Sequence, residues 1–416
     1  MRARWLLLSV VVGALLAGAG LWMVRRRPVG EPAPVAGTRL FQSVLEFVRT
    51  QSVDSITDEQ LYRLAASGVV TELDDPYAIL SLPGQPRSRF EDRDAPLGLH
   101  LDRRDGSIVV IAAVPGSPAD RAGVRSGDVL LGVGSTPVEP EDLESALELI
   151  AGPAGTRVTL RLQRPRQGPI SIQVDRGPTP ESPAVSGSML SERIGILRLA
   201  RIPRGAADSV ADALERLRRT GAQSMVLDVH RAVGGQLADA VGIADLFLDA
   251  GTVLLATRGR SPGDAQKFVD STAARFGEIP LVVLVDHGTA GAAEAIAGAL
   301  QDQDRAAVLG SRTFGRGVTQ RDFPLGDGAS VRLTTAFWYT PNGRQIQVAV
   351  QDTSTDSTSA PSIKSVAGRT LLGGGGIAPH QEIEEERGVD RPLAAARALL
   401  ARAGSAKAVL AQIDPP

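Results

Sequence analysis

The chain has 416 residues, enough for two or three domains with cores of their own. Its 45 Lys and Arg residues against 47 Asp and Glu leave a net charge of −2, so there is no electrostatic case for nucleic-acid binding. Cysteine is absent, which excludes disulfides, cysteine-based zinc sites and a thiol nucleophile.

The first predicted element is a membrane segment. Trp5 to Val24 carries no charge and is flanked by Arg2 and Arg4 on one side and by Arg25, Arg26 and Arg27 on the other. Twenty apolar residues rise about 30 Å as a helix, enough to span a bilayer. An uncleaved signal anchor over residues 1–27 is expected. A cleaved signal peptide, with a small-residue site at Ala17-Gly18-Ala19, is the alternative. A Pro-rich linker over 28–37 leads to a helical segment, residues 38–91. There Leu40, Phe41, Val44, Leu45 and Val48 recur at helical spacing. A second helix starts at Thr57, where Thr57-Asp58-Glu59-Gln60 has the pattern of a capping box. Asp74 and Asp75, before Pro76-Tyr77, suit a turn better than catalysis.

Residues 92–177 resemble a PDZ domain. Leu97-Gly98-Leu99-His100-Leu101 matches its carboxylate-binding loop and following strand, and Pro115-Gly116-Ser117-Pro118 through Asp128-Val129-Leu130 matches its helix–turn–strand signature. The resemblance implies that backbone N–H groups at Gly98 and Leu99 hold a peptide's terminal carboxylate while the peptide adds as a strand beside Leu99–Leu101. Leu143, Ala146, Leu147 and Ile150 lie at i, i+3, i+4 and i+7 on the helix forming the opposite wall; part of that stripe must be core, and Leu143 and Leu147 are the candidate ligand contacts. His100 is placed to select a polar ligand side chain or to have no role.

After a linker over 178–185, strands and helices alternate. Strands are predicted at Ile194–Leu199, Ser224–Val229, Thr252–Ala256, Leu281–Val285 and Val331–Thr335. Helices are predicted at Ala206–Thr220, Gln236–Leu248 and Ala292–Gln301. Asp352 to Ser362 reads as a solvated loop, and 401–416 as a C-terminal tail after a core spanning 178–400.

Two motifs carry the chemistry. Gly288-Thr289-Ala290-Gly291-Ala292-Ala293-Glu294 opens a helix, and Thr313-Phe314-Gly315-Arg316-Gly317 follows 25 positions on. Together they resemble the C-terminal processing peptidases, the PDZ-containing S41 serine peptidases. That family has a serine nucleophile where Gly291 stands and a lysine base where Arg316 stands. The resemblance implies a mixed α/β core of the ClpP/crotonase-like kind with an inserted PDZ domain and an N-terminal helical segment. It also implies that Gly234, Gly235 and Ala292 belong to the oxyanion loop and that Gln320 orients the base. Tyr339 to Gln347 and Gly373 to His380 also match the family. A Ser–Lys dyad needs a hydroxyl and an amine that can be neutral. Glycine has no side chain, and arginine keeps its proton. His230, Ala232 and Val233 also replace the family's residues in the oxyanion loop.

The expectation is a catalytically degenerate homologue, on the inner (cytoplasmic) membrane with its body on the periplasmic side. Its PDZ domain would bind C-terminal tails of extracytoplasmic proteins, and the whole would act as adaptor, scaffold or regulator, with an active protease as one candidate partner. An active serine-type endopeptidase using Thr289 or Ser311, and a structural homo-oligomer, are the alternatives. His230 and His287, with Asp228 or Asp286, would need a nucleophile to form a triad. The four histidines, at 100, 230, 287 and 380, have no metal-ligand spacing, and neither metal nor cofactor is expected.

Overall fold

The computed structural model describes residues 36–73, 75–83, 96–139, 142–348, 362–384 and 390–413. The chain divides after Thr71. In the first unit, α1 (Ala36–Gln51) and α2 (Asp58–Thr71) are joined by a short connection. The capping box is present: Gln60 N–H donates to Thr57 Oγ1 at 3.3 Å, and Thr57 N–H donates to Gln60 Oε1 at 3.0 Å. Leu61 is buried, while Leu40, Phe41, Val44 and Phe47 of α1 stay exposed.

Among the described residues no helix is long and apolar enough to cross a membrane. The longest, α1, has 16 residues and carries Arg39, Glu46 and Arg49, short of the roughly 20 apolar residues a bilayer needs. The single-pass inner-membrane placement is therefore withdrawn. Trp5–Val24, on which it rested, lies outside the described residues.

The second unit opens with β1 (Ile79–Ser81) and then the PDZ domain: β2 (Leu99–Arg104), β3 (Ser107–Ala113), α3 (Pro118–Ala122), β4 (Val129–Val133), β5 (Thr136–Pro137), α4 (Leu143–Ile150), β6 (Arg157–Arg164) and β7 (Gly168–Asp175). The sheet order is β2-β3-β4-β6-β7, with β5 on β4. Period-2 burial drives it: Val158, Leu160 and Leu162 of β6 are buried, while Arg157 and its alternates face outward. The Ser117-Pro118 signature has a local cause. Ser117 caps α3, accepting from Asp120 N–H; Pro118 takes the first helical position; and Gly123 ends the helix at φ 91°.

The core follows as β8 (Val185–Met189), β9 (Ile194–Leu199), α5 (Ala206–Arg219), β10 (Ser224–Asp228), α6 (Leu237–Asp245), β11 (Val253–Gly259), β12 (Gln266–Val269), β13 (Leu281–Val285), α7 (Ala292–Asp302), β14 (Ala307–Gly310), β15 (Val318–Gly326) and β16 (Ala329–Tyr339). β17 (Ser362–Lys364), β18 (Thr370–Leu372), β19 (Gln381–Glu382), α8 (Arg391–Arg402) and α9 (Ala406–Ala411) complete it. The main sheet runs β19-β14-β13-β10-β9-β8, parallel except at β8. β10 and β13 are buried along their whole length, as a parallel sheet covered on both faces requires. Leu197, Leu227, Val283 and Val308 pack toward α5, α6 and α7. The alternating Ile196, Val226, Val282 and Leu309 pack toward α8 and α9. Residues 401–416, expected as a tail, thus carry α9, whose Val409 and Leu410 are buried. A second sheet, β1-β16-β11-β12 with β15 on β16, stands beside it. Of the predicted loop at 352–362, residues 352–361 lie outside the described residues.

Candidate active site and PDZ groove

The strand β13 and helix α7 are joined by a tight turn that ends on Gly291. Its φ of 72° and ψ of −123° suit glycine and strain any other residue. A Cβ added there would sit 3.2 Å from Gly234 Cα. The turn is held from within. Thr289 is fully buried; its hydroxyl donates to Val229 O at 2.9 Å and accepts from Asp286 N–H at 3.0 Å. That hydroxyl is part of the turn's framework and is not presented to a substrate.

Glu294, in the first turn of α7, ties the two motifs together. Its buried carboxylate accepts N–H bonds from Gly291 at 3.0 Å, Gly315 at 2.7 Å and Arg316 at 2.8 Å, and the hydroxyl of Thr313. Burial pushes its pKa up, and these bonds pull against that rise. The backbone at 291 and at 316 is therefore fixed by one side chain.

The loop at Gly234 and Gly235, expected to be the oxyanion loop, closes on the start of α7. Ala292 N–H donates to Gly234 O at 3.2 Å. Gly234 and Gly235 have φ of 71° and 109°, and a Cβ at Gly235 would meet Ile202 at 2.8 Å. The loop's first residues are anchored by Asp228. Its Oδ1 lies 3.1 Å from His230 Nδ1, and its Oδ2 accepts from Arg198 Nε at 2.6 Å. Burial pushes the Asp228 pKa up, but the hydrogen bond and charge of His230, with Arg198, outweigh it and hold the carboxyl at about 2. His230 is thus a loop anchor. His287 is exposed.

At the expected base position, the Arg316 guanidinium does not point to a free site. It lies 5.0 Å from the Tyr77 ring centroid and 3.6 Å from Asp102 Oδ2 on β2 of the PDZ domain. Gln320 Nε2 donates to Tyr77 O at 3.1 Å. Gly291 and Arg316, the positions expected from the sequence to hold nucleophile and base, offer neither a hydroxyl nor an amine able to accept a proton.

The PDZ domain leans on these same loops. Val109 and Ile111 of β3 pack with Val233, Ala290 and Phe314. Arg104 donates to Phe314 O at 2.9 Å, and Arg231 donates to Asp120 at 2.8 Å. Sequence reasoning missed these contacts, because the partners lie far apart along the chain. Asp75 bonds Thr334 through both carboxylate oxygens and acts as a brace.

The peptide groove is built as a PDZ groove would be. β2 is an edge strand, with β3 on one side only. Leu97 (φ 61°) and Gly98 (φ 71°) form a left-handed turn before it, unusual for leucine. Leu97, Leu99 and Leu101 are buried with Leu143, Ala146 and Ile150, and Leu147 is the half-buried member of the α4 stripe. His100 points to the opposite face of β2, away from the groove's apolar side. Burial, with the Arg316 and Arg201 charges, lowers its pKa to about 4.

Comparison with known proteins agrees with this geometry. Residues 193–355 match peptidase family S41, and residues 109–164 match a PDZ domain. The chain is 32% identical over 314 residues to the carboxy-terminal-processing protease of Bartonella bacilliformis, covering 74% of this chain and 72% of the relative. It belongs to peptidase family S41. It is also 30% identical over 304 residues to the carboxy-terminal processing protease CtpA of Bacillus subtilis, covering 72% of this chain and 65% of that relative's length. A solved photosystem II D1 C-terminal processing protease shares the fold, with a TM-score of 0.67 at 24% identity, covering 90% of this chain and 93% of the other. The chain thus has the S41 scaffold together with a PDZ domain.

Proposed function

We propose that this S41 member binds the C-terminal tails of other proteins through its PDZ domain and does not cleave them. It serves as an adaptor or regulator, presenting such tails to an active protease or withholding them from one. The observation that carries the reading is the joint loss of hydroxyl at Gly291 and amine at Arg316, on a turn that still has the shape for a nucleophile. The Ala292 N–H bond to Gly234 O supports it, since that donor is engaged where an oxyanion would need it.

The test uses the full chain and an unstructured protein with an apolar C-terminus. Wild type is expected to bind the tail and to leave it whole. A Gly291→Ser, Arg316→Lys double variant is expected to cut at a measurable rate, slowed by a loop that must release Ala292 N–H. The strained turn is expected to cost this variant about 1–3 kcal/mol of stability. Cleavage by wild type overturns the reading, as does failure to bind any C-terminal peptide.

A further inference from the structure

We infer that Arg316 is a clamp that fastens the PDZ domain to the core by bridging Asp102 of β2 and the ring of Tyr77. The strand's alternation sets this up. Leu99 and Leu101 turn into the PDZ core, so His100, Asp102 and Arg104 turn outward, toward the loops of the peptidase core. Asp102 is only 3% exposed. Its Oδ1 accepts from Arg103 N–H at 2.8 Å, and its Oδ2 has no hydrogen-bond partner. The guanidinium of Arg316, 3.6 Å from Oδ2, supplies the facing charge.

The residue type matters. A guanidinium is planar and always charged, so it can lie over an aromatic ring with one face and meet a carboxylate with its edge. Arg316 does both, at 5.0 Å from the Tyr77 centroid. A lysine ammonium at this position would be a point charge and would leave one of the two contacts weaker. The backbone of Arg316 is itself held by Glu294, so the clamp is mounted on the rigid start of α7. Arg104, two residues along β2, makes a parallel tie to Phe314 O and lies 5.2 Å from that ring's centroid. The inference stands on these contacts whether or not the chain cleaves peptides.

Hydrogen–deuterium exchange on the full chain tests it. Arg316→Gln leaves a buried carboxylate uncompensated. Exchange in Leu99–Arg104 and in Thr313–Gly317 is expected to rise about tenfold, with Val158–Leu162 of the PDZ core unchanged. Adding Asp102→Asn removes the stranded charge and is expected to bring both segments back to within about threefold of wild type. Unchanged exchange in Arg316→Gln overturns the clamp, as does a double variant no closer to wild type than the single one. Should Arg316→Gln fail to fold, Asp102→Asn alone decides. A rise of about threefold or more at Thr313–Gly317 supports the clamp, and none overturns it.

Discussion

At the scale of single residues, His100 has a measurable consequence that its place in a PDZ groove motif would not suggest. Its pKa falls to about 4 because the half-buried ring loses solvation and lies near the Arg316 and Arg201 charges, against about 6.5 in an unfolded chain. Between those values the unfolded state binds more protons than the folded one. Stability therefore rises with pH from about 4 to 6.5 and is fully present above that window. At about 1.4 kcal/mol per unit the swing is up to about 3 kcal/mol. His100→Gln keeps a neutral polar group and is expected to flatten this part of the pH profile in chemical denaturation of the full chain. An unchanged slope would mean that another group carries the dependence; Asp102, on the same face of β2, is not that group, because burial raises its pKa and a raised carboxylate makes stability fall as pH rises.

At the scale of elements, Glu294 converts a helix start into a joint between two loops. Four donors converge on its carboxylate. Glu294→Gln would replace one acceptor oxygen with an amide that faces N–H groups. A loss of about 3 kcal/mol is expected in equilibrium unfolding, with the 313–317 loop exchanging faster than the sheet. A loss below about 1 kcal/mol would show that the loop is held by other contacts. The motif that contains Glu294 was legible in the sequence because it and the second motif, 25 positions on, resemble those of a known family. So were the PDZ signature, the capping box at Thr57 and the buried strands β10 and β13, each of which repeats a short-range pattern. Edge and short strands such as β8, β12 and β19 were not legible, because their pairing is set by partners far along the chain. The same reason hid the clamp: Asp102 and Arg316 are each unremarkable until the fold brings them together. His100 was readable as a strand residue, but its facing charges were not. The Trp5–Val24 stretch shows the opposite error, where an apolar run was taken further than the described helices support.

At the scale of the whole second unit, the PDZ domain and the core meet through residues chosen by strand alternation. Ile108 and Val110 of β3 enter the PDZ core, and Val109 and Ile111 enter the interface with Val233, Ala290 and Phe314. Ile111 is fully buried there, so its contribution belongs to docking and not to the PDZ fold. Ile111→Ala is expected to cost about 2–4 kcal/mol, the range for deleting a buried isoleucine side chain to alanine. That loss should appear as undocking. Limited proteolysis in the linker, Pro178–Ala184, is expected to quicken about tenfold or more, while exchange at Leu160 and Leu162 stays as in wild type. Phe314→Ala touches the same cluster from the other side, so the two changes together should cost less than their sum. Additive losses, or faster exchange spreading through β6, would place Ile111 in the PDZ core instead. In that case the contact between the two modules would rest on polar ties such as those of Arg104, Arg231 and Arg316, with Arg166 to Glu384, and salt would be expected to weaken it where apolar packing would not.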